Sequence, residues 1–196
     1  MQKPDGGKLL ITLLRPLDWL ADHQAEPGRM IRLRFPELGI DGPAQVLAIE
    51  ACPTIEFGSG RLVTGTFQHS APNVIDLHVS CEDKPIGTTA NHPFWSESRQ
   101  DFVQAGSLQQ GEHLRTATGT PAFVTKVVRR DGPTSVFNLE VDAEHSYCVG
   151  VDGICVHNTD NYSAIPNAGD LPWGNVGARH AALDIEMGIR SVRVAS

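Results

Sequence analysis

Long apolar runs are missing from this chain. The longest, such as Leu9 to Leu14, fall far short of the roughly 20 residues that a membrane helix needs, and Arg15 and Asp18 follow at once. Basic residues are scarce as well. Sixteen Lys and Arg stand against 23 Asp and Glu, a net charge of -7, so no overall basic field would hold a nucleic-acid backbone. Nucleic acid and membrane are therefore not expected partners. The first residues, Met1-Gln2-Lys3-Pro4-Asp5-Gly6-Gly7, lack the charged, apolar and small-residue zones of a signal peptide, which leaves the compartment open. Cysteine patterning is absent too. Cys52, Cys81, Cys148 and Cys155 form no C-x-x-C pair and have no histidine at finger spacing, so buried free thiols are expected, with no zinc site, no disulfide framework and no cofactor.

What remains is ordinary globular composition rich in turn residues. A length of 196 residues fits one medium domain plus a tail, and 19 Gly and 13 Pro with 40% apolar residues exclude disorder, collagen and coiled coil. Period-two alternation dominates. In Met30 to Phe35, Ile31, Leu33 and Phe35 face one way and Arg32 and Arg34 the other, and Val136 to Val141 behaves alike. Further strands are predicted at Leu9–Leu14, Gln45–Glu50, Leu62–Phe67, Val74–Val79, Leu114–Ala117, Phe123–Val128, Ser146–Val151 and Ile154–His157. The class is mostly β.

Turns are predicted at Pro27-Gly28, Asp41-Gly42-Pro43, Gly58-Ser59-Gly60, Asp131-Gly132-Pro133 and Asp152-Gly153, the last a good hairpin turn. Two short helical pieces are expected, Pro16 to Ala25 with Pro at its first position, and a turn around Val103 to Leu108. After Asn158 the composition shifts. Thr159 to Gly177 is rich in Asn, Pro and Gly, and Ala178, Ala182, Ile185 and Ile189 then recur at helical spacing. These last 38 residues are too few for a core of their own and read as a small irregular tail, a linker and the start of something else.

Three of the eight histidines stand in suggestive contexts: Thr89-x-x-His92-Pro93-Phe94-Trp95, His145-x-Tyr147-x-Val149-Gly150, and Val156-His157-Asn158. In this order, with Phe102-Val103-x-Ala105-x-x-Leu108-x-x-Gly111-Glu112 between the first and second, they resemble the hedgehog/intein (Hint) family. The form resembled is that of the pre-toxin region of large bacterial repeat proteins, the polymorphic toxins of the Rhs kind. The likeness is clearest from Ile86 to Asn158. It implies a horseshoe-like, mostly β Hint fold over residues 1–158, with short helices, that processes its own chain. Residues 159–196 would then begin a downstream cargo, often a toxin or effector, and upstream segments of a larger, exported or cell-surface parent are implied. One element of the family pattern is missing. The family's first residue is a Cys or Ser that attacks the preceding carbonyl, and no such block is present, so either the chain starts inside a larger protein or this copy lacks the amino-terminal reaction.

The chemistry at Asn158 needs no cysteine. Its side-chain nitrogen can attack its own main-chain carbonyl, close a succinimide and expel the amine of Thr159, with the nucleophile supplied intramolecularly. The amine leaves only when protonated, and a histidine of ordinary pKa about 6.5 can donate that proton. His157 is the candidate donor, and the resemblance assigns His145 to the Asn158 side chain. Backbone N–H groups would complete an oxyanion site. An acceleration of roughly 10⁴-fold, or about 5.5 kcal/mol, would suffice to bring the reaction from years to hours. By resemblance, Thr89 and His92 activate the peptide bond before the family's first residue. Such a module acts once per molecule and is no turnover enzyme. Two other readings stay open: a non-cleaving Hint relic that serves as a structural linker, and a metal triad of His92, His145 and His157, whose separations match no known ligand spacing.

Overall fold

The computed structural model describes residues 9–35, 40–55, 62–141, 146–158 and 190–195. Fourteen strands appear among them: β1 (Leu9–Arg15), β2 (Met30–Phe35), β3 (Ile40–Ala51), β4 (Val63–Ala71), β5 (Val74–Val79), β6 (Ile86–Thr89), β7 (Pro93–Ser96), β8 (Asp101–Gln104), β9 (His113–Leu114), β10 (Ala122–Arg129), β11 (Thr134–Val141), β12 (Ser146–Val149), β13 (Ile154–His157) and β14 (Arg190–Ala195). One α-helix, α1 (Leu17–Asp22), and a single 3-10 turn at Ala105–Ser107 complete the described elements. The chain divides into two compact units, one drawn from Met1–Ser70, Phe137–Ala143 and Gly174–Ser196, the other from Ala71–Val136 and Glu144–Trp173.

The first unit is built on a sheet of order β11-β4-β1-β14-β3-β2. Alternation makes it. Leu9, Ile11 and Leu13 of β1, Ile31, Leu33 and Phe35 of β2, and Ile40, Ala44 and Val46 of β3 all turn to one buried cluster. β14 lies between β1 and β3, antiparallel to both, with Val192 opposite Leu13 and Ile49 and Val194 opposite Ile11 and Val46. Arg15 ties the sheet to its edge. Its guanidinium reaches both carboxylate oxygens of Glu140 on β11, at 3.0 and 2.8 Å, and donates to the carbonyl of Thr64 on β4. Thr64 Oγ1 donates to the same carboxylate at 2.8 Å. The pair is largely shielded, so leaving either charge alone would cost more than a surface pair is worth.

The second unit carries a sheet of order β12-β13-β7-β9-β10-β5-β6, with β8 added to β7. Its core holds Ile75, Leu77, Phe94, Leu114, Val124, Ile154 and Val156. A buried polar cluster braces it. Glu112 accepts from Ser96 Oγ at 2.6 Å, from the Gln109 N–H at 2.9 Å and from Arg99 at 2.8 Å. Burial would raise the pKa of that carboxyl, yet these donors outweigh it and hold it below the usual range.

Met30–Phe35, Val74–Val79 and Ile154–His157 form strands with the predicted bounds. Several expectations are corrected. Asp41-Gly42-Pro43 is no turn: the alternation of Ile40, Gly42, Ala44 and Val46 toward the core runs straight through it, paired to β2. Pro43 lies in this run opposite Arg32 of β2. The strand expected over Leu114–Ala117 stops at Leu114, and Thr116 makes only a single bridge to Ile154. Pro16 caps α1 instead of opening it. β6, β7 and β14 are not among the expected strands, whereas β8 falls where the resemblance places the strand opening on Phe102. The turn at Gly58-Ser59-Gly60 and the helix over Ala178–Ile189 lie outside the described residues. The cysteines are free thiols, but only Cys155 is buried, while Cys148 is exposed. Among the described residues no helix is long and apolar enough to cross a membrane.

Val192 and Val194 are fully buried, whereas Arg193 between them is half exposed and pairs with Glu50 at the surface. Val192→Ala and Val194→Ala should each lower stability by about 2 kcal/mol in urea titrations, from lost methyl groups and the cavity left. Arg193→Ala should cost less than about 0.5 kcal/mol.

Candidate functional site

The Thr-x-x-His spacing is that of a tight turn. The N–H of His92 donates to the carbonyl of Thr89 at 3.0 Å, which closes four residues between β6 and β7. The second unit holds this turn on three sides: Ala90 N–H donates to Asn73, while Ala105 N–H and Gly106 N–H donate to the carbonyls of His92 and Ala90. Gly106 packs closely there. A Cβ at that position would lie 3.0 Å from the Ala90 Cβ and 3.1 Å from its carbonyl oxygen.

His92 is half-buried, its ring set against Phe94 and Tyr147, with the Tyr147 hydroxyl 3.3 Å from Nε2. Desolvation first, and the nearby His157 second, push the His92 pKa down to about 4. The ring is therefore neutral at pH 7, suited to accept a hydrogen bond from a hydroxyl. Burial raises the pKa of the Tyr147 phenol, which keeps its proton available.

His157 ends β13, all four of whose residues are buried. Ile154, Cys155 and Val156 are fully buried, and β13 pairs with β12 on one side and β7 on the other. His157 is 4% exposed and packs edge-on against Phe102, 5.1 Å between ring centres. Asn158 is buried to the same 4%, and neither its Nδ2 nor its Oδ1 makes a hydrogen bond among the described residues. A buried amide so placed costs on the order of 1–3 kcal/mol per unmet group, and most folds avoid it.

Thr89, His92, His157 and Asn158 thus all belong to the second unit, and His92 and His157 are close enough to interact electrostatically. His145 and Thr159 lie outside the described residues. Ser146, which follows His145, pairs with His157 across the hairpin. Sequence reasoning missed Phe102 as the platform under His157, for which only an apolar motif position gave a signal, and the direct contact of Tyr147 with His92. Among the described residues one group offers three metal ligand atoms, Cys81, Glu82 and Asp152, all within 4.8 Å of one another. Glu82 Oε1 already accepts the Asp152 N–H at 3.1 Å.

Two β-rich units, a Thr-x-x-His turn and a closing strand that ends in buried His157, with buried Asn158 next, define a Hint domain. The model of the pretoxin HINT domain family matches residues 44–159, more than half of the chain, which belongs to that family. Among solved structures, the chain is similar to a bacterial intein-like domain from Clostridium thermocellum, at 24% identity and TM-score 0.43, covering 77% of this chain and 98% of that one. It is also similar to the transcription factor IIB Mvu mini-intein, at 14% identity and TM-score 0.46, covering 77% and 97%. The TvoVMA intein gives 12% identity and TM-score 0.44, covering 79% and 100%. No curated protein matches the chain.

The His92 pKa carries a sign for stability. A folded pKa of about 4 against the ordinary 6.5 means that the unfolded chain binds more protons between those values, so stability is complete above about pH 6.5 and is lost as pH falls toward 4. His92→Gln should flatten the pH dependence of the urea midpoint in that window, where wild type loses at most on the order of 3 kcal/mol from this group.

Proposed function

We propose that this domain cuts its own chain between Asn158 and Thr159 by cyclisation of Asn158 and frees a downstream cargo covalently from the module. The observation that carries the reading is the buried, unsatisfied amide of Asn158 directly after the buried His157. Such an amide is a nucleophile with no competing hydrogen bond among the described residues, and it directly follows in sequence a buried histidine at the end of a strand paired on both sides. Family membership supports it at the coarser level of a Hint domain.

In the proposed step Asn158 Nδ2 attacks the Asn158 carbonyl carbon. The new C–N bond closes a succinimide, the bond to Thr159 breaks, and the nitrogen of Thr159 leaves as an amine. His157 donates the proton that the leaving amine needs, and His145 receives the one that Nδ2 loses, so the two pieces together keep the mass of the intact chain. The positioned side chains supply orientation, and the low-dielectric surroundings strengthen the proton transfers. Thr89 and His92 serve the family's other scissile bond, upstream, where a neutral His92 can accept a proton. The division of labour is then residues 1–158 as module and 159–196 as linker and first part of the cargo, within a longer toxin-bearing parent.

Intact mass under denaturing conditions after incubation at pH 7 tests this. Wild type should yield a fragment ending in a succinimide at Asn158 and a peptide beginning at Thr159, while Asn158→Ala should stay whole. Asn158→Ala should also leave the urea midpoint unchanged or raised, since it removes unmet polar atoms. Wild type of unchanged mass after days at 37 °C would instead support the non-cleaving relic. Where cleavage occurs, the two pieces should still co-elute in native buffer through β14 and separate only in denaturant.

A further inference from the structure

Cys148 and Cys155 face each other across the hairpin of β12 and β13. They are exact register partners, and their sulfurs lie 3.8 Å apart as free thiols. The kind of pair matters. Cys155 donates its backbone N–H to the carbonyl of Arg115 at 3.0 Å, on the side away from β12. In an antiparallel strand a residue's N–H and C=O point the same way, so Cys148 and Cys155 form a non-hydrogen-bonded pair. Such pairs bring their Cα atoms to about 4.5 Å, inside the range of about 4.4–6.8 Å that a disulfide spans. The two side chains sit on the same face of the hairpin as Ser146 and His157.

The two thiols are not equivalent. Cys148 is exposed and Cys155 is completely buried. We propose that Cys148 and Cys155 form a thiol–disulfide site, with Cys148 the attacking thiol and Cys155 the resolving one, that takes a small-molecule disulfide such as glutathione disulfide as its oxidant. Cys148 Sγ, as thiolate, attacks one sulfur of the oxidant; that S–S bond breaks, one thiolate leaves, and a mixed disulfide forms on Cys148. Cys155 then gives up its proton, attacks the Cys148 sulfur and expels the second thiolate. Two protein thiols lose two electrons in all, and the oxidant becomes two thiols that carry the two protons.

The local electrostatics agree with the assignment. The hydrogen bond between the two thiols lowers the Cys148 pKa to about 7, and the same contact, with burial, raises that of Cys155. Cys52 and Cys81 lack this activation, since burial pushes both of their thiols up. The bond, once closed, pins β12 to β13 two residues before His157. It therefore staples the element that carries His157 and Asn158.

The test is independent of any cleavage at Asn158, because both cysteines precede it. Wild type, Cys148→Ser and Cys155→Ser are each incubated with glutathione disulfide, blocked with N-ethylmaleimide and read by intact mass and peptide mapping. Wild type should lose two of its four alkylatable thiols to a bond joining Cys148 and Cys155, reversed by dithiothreitol. Cys155→Ser should accumulate a single glutathione adduct at Cys148, and Cys148→Ser should keep all its remaining thiols. Wild type that keeps four thiols, a bond routed through Cys81 or Cys52, or equal adduct formation in the two variants would each overturn the proposal.

Discussion

The site depends on one constraint, the pairing of β13 on both sides. A strand of four residues has little hold of its own, yet β12 fixes it in exact register and β7 closes its other edge, with Ile154, Cys155 and Val156 sealed in the core. Period-two geometry then leaves no freedom in where the next side chains go. A slip of one residue would turn the buried set outward, which the core forbids. His157 is therefore delivered to the Phe102 ring and Asn158 to a buried position, and the same register aligns the two cysteines.

Stability and chemistry oppose each other at Asn158. A buried amide without partners is a defect in a fold selected for stability alone, because its desolvation is uncompensated. In the same unit the buried carboxylate of Glu112 meets three donors. The contrast between the two makes the bare amide informative: polar satisfaction is achieved at Glu112 and missing at Asn158, where the proposed reaction needs a nucleophile. His92 follows the same logic, since desolvation keeps its ring neutral at a cost in stability below its ordinary pKa.

Much of this was legible in the sequence because half-buried strands announce themselves. Met30–Phe35 alternates cleanly and forms β2 with its predicted bounds. Pro93–Ser96 does not alternate, because all four of its residues are buried between neighbours, and it opens on a proline, so β7 escaped. β14 had the signal, with Val192 and Val194 set between Ser191, Arg193 and Ala195, but six residues after an Ala-rich stretch did not stand out from it. Asp41-Gly42-Pro43 misled because turn chemistry was read locally, whereas pairing with β2 and burial of Gly42 decided the outcome. Motif order singled out Thr89, His92, His157 and Asn158, which the fold brings into one unit. Contacts such as Tyr147 with His92 come from tertiary packing, which spacing cannot encode.

The position of β14 separates two events that a cut is usually taken to combine. Breaking one peptide bond after Asn158 ends covalent continuity, but β14 remains hydrogen-bonded to β1 on one edge and β3 on the other, with Val192 and Val194 in the core of the first unit. Withdrawing it would split the sheet into β11-β4-β1 and β3-β2 and expose two new edges, each a row of unmet backbone groups. Under the proposed cleavage, the barrier to release is therefore the unzipping of a central strand, set by burial and ladder hydrogen bonds. The barrier to cutting is set by proton transfer at His157 and the geometry at Asn158. Two barriers with unrelated physical origins can be tuned independently: a load on the cargo, or a change in the first unit, alters when the pieces part without touching the chemistry that cut them.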